Sequence, residues 1–208
     1  SRLRLRAPAG RLHAHGPEHQ LTLYALSSLA SFLVEQNRCE EAEPLARDAL
    51  AMHHALDGED HPESLKLMLL VGWIALQLGR EEEAVELYGR AAELAVARYG
   101  EAHAVSLTHL QPLAYLYLRQ GRHVQAREIL ERCLLASRSL YGDEDVHTLD
   151  ARYDTLAALQ ESEGHAAALA ALEELVADLV RLLGGNDERT RRAIQQLEQA
   201  RDGRGARE

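Results

Sequence analysis

Residues 58–99 read GEDHPESLKLMLLVGWIALQLGREEEAVELYGRAAELAVARY, and the same frame recurs along the chain every 42 residues. Each copy opens on a glycine, and a hydroxyl side chain follows six residues later. An alanine column runs in step with these two. A period of this length predicts an α-solenoid, in which each unit buries its apolar face against its neighbours. The columns are Gly16, Gly58, Gly100, Gly142 and Gly184; Thr22, Ser64, Ser106, Thr148 and Thr190; and Ala42, Ala84, Ala126 and Ala168.

Each unit carries the pattern of two helices. In the second unit, apolar residues recur at intervals of three to four over residues 65–76 and again over 84–95, with Gly79-Arg80 between them. Asp60 is predicted to cap the first helix ahead of Pro62, and Gly100 to end the second helix in the left-handed conformation. The predicted pairs are 18–36 with 39–57, 60–78 with 81–99, 102–120 with 123–141, and 144–163 with 165–183.

The period divides residues 16–185 into four units, at 16–57, 58–99, 100–141 and 142–183. A further helix without a partner is predicted at about 187–201, so that residues 186–201 form a capping helix whose Ile194 and Leu197 cover the last apolar face. Residues 1–15 are predicted to be a disordered basic leader or linker, with a transit-peptide remnant as the less favoured alternative. Residues 202–208 are predicted to be a frayed tail.

Charge and composition exclude several classes of function. The net charge is −10, and because residues 1–15 carry four arginines and no acid, the remainder carries −14. A surface this acidic repels nucleic acid. The longest apolar stretch, residues 67–76, is well short of the roughly 18 residues needed to span a bilayer. Cys39 and Cys133 lie at non-equivalent places in different units, which indicates a reducing compartment and predicts a cytoplasmic protein.

Two stretches, 71–91 and 113–126, resemble tetratricopeptide repeats. The first contains Val71-Gly72, then Gly79-Arg80 followed by three glutamates and Ala84, and then Ala91. The second runs from Leu113-Ala114-Tyr115-Leu116-Tyr117 through Gly121-Arg122 to Ala126. The common repeat has 34 residues, whereas this one has 42 and places Gly-Glu-Asp-His-Pro at 58–62 between units. That combination is similar to the kinesin-light-chain type, which also occurs beside signalling NTPase and caspase-like protease domains.

The resemblance implies a right-handed superhelix of four helix-turn-helix repeats plus the capping helix, with the first helices lining a concave peptide-binding groove. Kinesin light chains place paired asparagines in those helices, but this chain has Ser27-Ser28, Leu69-Leu70 and Gln111-Pro112 there. In the fourth unit, Leu156-Ala157 and Gly164 sit one residue late, which predicts a slip of register. The implied groove residues are Tyr24, Ser27, Ser31, Lys66, Leu69, Trp73, Gln77, Thr108, Gln111, Tyr115, Arg119 and Tyr153, with Asp150, Asp154 and Glu161 nearby.

Trp73, the single tryptophan, is either a groove contact or a residue packed between repeats. With Lys66 and Arg119 in mid-groove and acids in the fourth unit, the groove is expected to hold an extended or helical peptide of mixed charge across units two and three. The first unit lacks an evident cap, so self-association through it is a further possibility.

No active site is predicted. His19, His61 and His103 lie 42 residues apart and are expected to serve the repeat turn. His13, His15 and His19 resemble a metal cluster but are expected to lie in a tail with no cysteine nearby, so neither a metal nor a cofactor is predicted. The leading hypothesis is a non-enzymatic protein-interaction module that binds a protein or peptide partner. The alternatives are a regulatory arm of a larger signalling NTPase or protease, and a scaffold subunit of a motor or ciliary assembly.

Overall fold

The computed structural model describes residues 17–202, apart from the side chains of residues 17–20 and 161–163. The predicted leader, the tail from residue 203 onward, and the side chains of His19 and Glu161 therefore lie outside the described residues.

Within residues 17–202 the chain forms nine α-helices and no strand, which confirms the predicted all-α repeat fold. Each second helix begins and ends at the expected residue, whereas the first helices of units two, three and four begin two residues later than expected. No helix of this range is long and apolar enough to cross a membrane. The helices are α1 (Pro17–Glu35), α2 (Cys39–Asp57), α3 (Pro62–Gln77), α4 (Glu81–Tyr99), α5 (Ala104–Arg119), α6 (His123–Tyr141), α7 (Val146–Glu163), α8 (His165–Leu183) and α9 (Glu188–Asp202).

The helices pack in chain order. Each one packs on the helix before it and the helix after it, from α1 on α2 through to α8 on α9. In addition, α1 contacts α3 directly, so first helices of successive units approach one another. The buried leucines and alanines accordingly form successive clusters along the stack instead of one central core. This is the packing of a solenoid, whose units are stabilised by their neighbours.

The glycine column forms the connections between units. Gly58, Gly100, Gly142 and Gly184 have φ between 81° and 95° and ψ between 160° and 168°. This region is essentially restricted to glycine. The predicted left-handed helical conformation of Gly100 is therefore wrong in ψ, although its φ is positive. A side chain at any of these places would strain the backbone, which explains why glycine returns in every unit.

The hydroxyl column fastens these connections to the next helix. Ser64 Oγ donates a hydrogen bond of 2.7 Å to the Gly58 carbonyl oxygen, and Ser106 Oγ donates one of 2.6 Å to that of Gly100. Both serines are fully buried. In units two and three, the six-residue spacing in the sequence thus corresponds to a hydrogen bond that closes the loop onto the first turn of the following helix.

Histidine, not aspartate, caps the first helix of unit two. His61 Nδ1 accepts a hydrogen bond from the Glu63 amide at 3.4 Å, and His103 Nδ1 accepts one from the Val105 amide at 3.1 Å. This confirms that His61 and His103 serve the repeat turn. The predicted cap, Asp60, is wrong because α3 begins at Pro62. Asp60 lies one residue further out and forms an ion pair of 2.9 Å with Arg98.

The fourth unit keeps the register of the others. Thr148, Leu149, Leu156 and Ala158 on α7 are buried, as are the residues 42 positions earlier on α5: Ser106, Leu107, Ala114 and Leu116. The predicted slip is therefore wrong. Gly164 comes one residue late because α7 runs on to Glu163, whereas α3 and α5 stop earlier and leave a longer turn.

Helix α9 covers the end of the stack. Ala193 and Leu197 are buried in a cluster with leucines of α8, and Ile194 is half-buried beside them. The packing of α9 on α8 agrees with the capping role expected of Leu197.

Candidate peptide-binding groove

Trp73 and Tyr115 occupy equivalent places on α3 and α5. Their neighbours on both sides, Gly72 and Ile74 around Trp73, are buried, so the face that carries Trp73 is turned away from the packing of α3 on α4. Each aromatic side chain is 45% exposed. Trp73 is therefore not enclosed between repeats, and close to half of its surface is open to a partner.

Tyr115 is tied to the neighbouring first helix. Its hydroxyl donates a hydrogen bond to Asp154 on α7, and burial together with this bond raises the pKa of Tyr115. Burial also raises the pKa of Asp154, although the hydrogen bond from Tyr115 and, to a smaller degree, Arg192 on α9 oppose that rise. The Arg192 guanidinium lies 4.7 Å from the ring centroid of Tyr153. These contacts join α5, α7 and α9 on one side of the stack, which leaves the Tyr115 ring, not its hydroxyl, available for binding.

The charged groove residues have partners within the chain. Lys66 Nζ lies 2.7 Å from a Glu63 oxygen, Arg119 Nη2 lies 3.5 Å from a Glu81 oxygen, and Asp150 pairs with Arg189 at 2.9 Å. All three pairs are solvent-exposed. Exposed ion pairs contribute only about 0–1 kcal/mol, so a partner's charges can replace these contacts at little cost.

The remaining predicted residues divide by exposure. Two hydroxyls bond to their own helices, since Ser27 donates to the Leu23 carbonyl and Thr108 to the Ala104 carbonyl, each at 2.9 Å. The exposed members of the predicted set are Tyr24, Ser31, Lys66, Trp73, Gln77, Thr108, Tyr115 and Arg119. The half-buried members are Ser27, Leu69, Gln111 and Tyr153. The exposed set extends along α1, α3 and α5, the first helices of three successive units.

A sequence model of the tetratricopeptide repeat matches residues 21–96 and 104–179, which is most of the chain. The chain belongs to the tetratricopeptide repeat family. Members of this family are in general non-catalytic scaffolds that bind other proteins. A comparison with curated proteins returns no significant match.

Solved structures define the repeat type more closely. One is a crystal structure from Podosopora anserina of nearly identical TPR-like repeats, described as those of a kinesin light chain. It superposes with a TM-score of 0.77 at 22% sequence identity, and the match covers 89% of this chain and 88% of that one. A single-substitution variant of it gives 0.79 at 21% identity, covering 92% and 91%. BtubC (BKLC) from P. vanneervenii gives 0.65 at 15% identity, covering 92% and 88%. These similarities confirm the kinesin-light-chain-like repeat and, at such identities, establish the fold alone.

One feature of this tetratricopeptide domain escaped the sequence analysis. A cleft of about 600 Å³ lies between the start of α4 and the turn that joins α5 to α6. The Glu81 carboxylate on its wall pairs with Arg119 and accepts a hydrogen bond of 3.3 Å from Gln120 Nε2. The run of three glutamates at 81–83 was its sequence signal, but the run alone suggests only favourable charge at a helix N-terminus. The lining residues are Glu81, Glu82, Val85, Glu86, Gln120 and Arg122.

Proposed function

We propose that this tetratricopeptide domain binds an extended or helical peptide segment of a protein partner, across the first helices of units two and three. The observation that carries the proposal is the pair of half-exposed aromatic residues, Trp73 and Tyr115, at the same place in consecutive units. The domain acts without catalysis. Its two cysteines at non-equivalent places also favour the cytoplasm as its compartment.

Aromatic side chains support the proposal because they combine a large contact area with few rotatable bonds. Truncating such a residue at the centre of an interface often costs 2 kcal/mol or more, about thirtyfold in affinity. The residues on either side of Trp73 in α3 are buried. Its position is therefore held by the core, and binding needs little ordering of the domain itself.

The charges around these aromatics support a peptide of mixed charge. Arg119 and Lys66 are exposed cations that suit carboxylates of the partner. The cleft beside Arg119 has Glu81, Glu82 and Glu86 on its walls and suits a basic side chain. A segment with an acid and a base near an apolar residue would satisfy both features.

We expect the double variant Trp73→Ala/Arg119→Glu to lose its groove partner. Removing the indole deletes apolar contact, and reversing Arg119 places a like charge against the partner's carboxylate, so affinity should fall by about a hundredfold or more. The measurement is affinity capture from a lysate of the source cells, with captured proteins quantified by mass spectrometry. A peptide from the partner identified in this way is then titrated against both proteins.

The matched control is Tyr141→Ala/Arg138→Glu, which likewise removes one aromatic ring and reverses one charge, at the end of the second helix α6. Tyr141 and Arg138 are exposed to a similar degree as Trp73 and Arg119. Circular dichroism establishes that both variants remain helical. A partner kept by the groove variant but lost by the control would contradict the groove and favour a contact on the second helices.

That contact is the second candidate function, a scaffold subunit of a motor or ciliary assembly. Val124 and Leu135 support it, because both are exposed apolar residues on α6. A regulatory arm of a larger signalling NTPase or protease would use either surface. Neither alternative requires the Trp73 and Tyr115 rings to be contacted.

Self-association through the first unit is a separate proposal, supported by an apolar face on α1 that is exposed among the described residues 17–202. Leu29 and Phe32 are 48% and 53% exposed. Val71 and Ile74, at the same places in unit two, are buried in a cluster with residues of unit one. The face of α1 thus has the chemistry that a preceding second helix covers elsewhere. A second copy of the chain offers the same face of its own α1 to cover it.

We expect Leu29→Glu/Phe32→Glu to weaken a dimer at least about tenfold, because two partly buried apolar side chains contribute a few kcal/mol. Sedimentation over a wide range of concentrations measures this. The control Val124→Glu/Leu135→Glu adds the same charges on α6 and should leave the dimer intact. A wild-type chain that stays monomeric at every concentration would contradict self-association.

A further inference from the structure

Three metal-ligating side chains converge where unit one meets unit two. His53 and Asp57 lie one turn apart on the last part of α2, and His61 immediately precedes α3. One ligand atom from each lies within 4.8 Å of the other two. His53 Nδ1 is 2.9 Å from an Asp57 carboxylate oxygen, and the rings of His53 and His61 are stacked with centroids 6.4 Å apart. Two imidazoles and one carboxylate thus lie within a few ångströms of one another.

The later junctions do not repeat this arrangement. The residues 42 positions after His53 and Asp57 are Ala95 and Tyr99, and Tyr99 stacks on His103 with centroids 4.9 Å apart. In unit three the corresponding residues are Ser137 and Tyr141. The repeat architecture therefore needs only a capping residue at the position of His61. It does not account for a histidine and an aspartate in place of an alanine and a tyrosine.

We propose that His53, Asp57 and His61 bind a divalent first-row transition-metal ion, with Zn²⁺ the ion that this donor set suits best. Two imidazoles and a carboxylate are a frequent ligand set for Zn²⁺, and a fourth position stays open to water or to a group on a partner. Ligand bonds of about 2.0–2.2 Å place tetrahedral ligand atoms roughly 3.4 Å apart. The three donors therefore need to close by little more than about 1 Å, and the exposed side chain of Asp57 has room to move.

Binding requires two hydrogen bonds to be exchanged. A neutral imidazole that ligates a metal keeps its proton on the other ring nitrogen. Whichever nitrogen of His61 binds, its Nδ1 no longer accepts from the Glu63 amide. That bond is 3.4 Å long, at the weak end of the range, so its loss is minor. The contact between His53 and Asp57 is likewise exchanged for two bonds to the ion.

The Asp57 carboxylate supplies the negative charge that compensates the charge of the ion, because the neighbouring acids are paired with arginines. Glu59 pairs with Arg90 and Asp60 with Arg98, each at 2.9 Å, so both of these neighbouring acids are engaged with arginines of α4. Because α2 and α3 belong to different units, the ion would clamp the first junction of the solenoid. The clamp stabilises the folded chain, since a site of this kind does not exist in the unfolded state.

The test is a Zn²⁺ titration of the metal-free full chain by calorimetry, with Co²⁺ absorption to report imidazole and carboxylate coordination. The wild type should bind at this site and gain thermal stability with Zn²⁺. His53→Ala installs the residue of unit two and should lower the affinity of the site at least about tenfold. His61→Asn keeps a capping side chain and should do the same. His103→Asn, the matched cap in unit three, and His54→Gln should leave the affinity unchanged.

Histidines near the N-terminal end of the chain are the competing source of binding. The variant in which His13, His15 and His19 are all alanine should retain the site, with its Co²⁺ spectrum and thermal gain. If that variant loses all binding while His53→Ala keeps it, the proposal is overturned. Absence of binding in the wild type, or equal affinity in the wild type and His53→Ala, overturns it as well. Circular dichroism without metal confirms that each variant is folded.

Discussion

Gly72→Ala is expected to lower the free energy of unfolding by about 1–2 kcal/mol, although alanine is the better helix former. A Cβ on Gly72 would lie 2.5 Å from Tyr88 Cε1 and 2.8 Å from Cδ1. Tyr88 is buried between helices, so its ring cannot move aside without opening the core. Overpacking costs about 1–3 kcal/mol, whereas helix propensity returns at most about 1 kcal/mol. At this separation the overpacking prevails.

Urea denaturation measures the effect, and the chain supplies its own control. The same two places hold Ala114 and Leu130 in unit three. The double variant Gly72→Ala/Tyr88→Leu therefore installs a pair that another unit already packs. It should be more stable than the sum of the two single changes predicts, because the residues are in contact. Strict additivity would show that the ring of Tyr88 does not constrain residue 72.

Ser106→Ala is expected to cost about 1–3 kcal/mol of unfolding free energy. The buried hydroxyl donates to the Gly100 carbonyl at 2.6 Å and lies 3.3 Å from that of Ala95. Removing it leaves a buried acceptor at the junction of units two and three without its donor, which costs about this much. The volume change is one oxygen atom, so cavity formation contributes little.

Thr148→Val, at the same place in the next unit, should instead raise the free energy of unfolding. Thr148 is fully buried, and among the described residues its hydroxyl has no hydrogen-bond partner. A buried unpaired hydroxyl is unfavourable by about 1–3 kcal/mol, so the isosteric methyl group should stabilise the chain by up to about 1 kcal/mol. Both variants are compared by denaturation midpoint at an unchanged slope. Loss of stability in both would contradict this account of the hydroxyl column.

The order of helices could be predicted because its causes lie within a few residues of each position. Gly58 and Gly100 adopt backbone angles that side chains disfavour, and an apolar stripe of period 3.6 selects a helix wherever it falls in the chain. Repetition then supplied independent copies of each local signal. These features together specify helix pairs, their turns and the solenoid, and the family match agrees with them.

The candidate groove could be predicted only in part. The exposure of Trp73 follows from its place between buried positions of α3, which a helical pattern already contains. The engagement of the Tyr115 hydroxyl with Asp154 and the cleft beside Arg119 do not follow, since each joins residues from different helices. Their distances depend on the angle at which successive units pack. The cap at His61 was missed for a smaller reason, a shift of one residue in the position of the N-cap of α3.

Periodicity alone thus establishes the architecture of this chain, because backbone conformation and amphipathic faces are properties of contiguous residues. The tertiary structure was needed for everything that depends on how two helices meet: the contact of Gly72 with Tyr88, the unpaired hydroxyl of Thr148 and the convergence of His53, Asp57 and His61. Equivalent positions in the repeat carry different partners there, so identical spacing leads to different chemistry. The physical reason is that packing distances between units are set by the side chains of both neighbours at once.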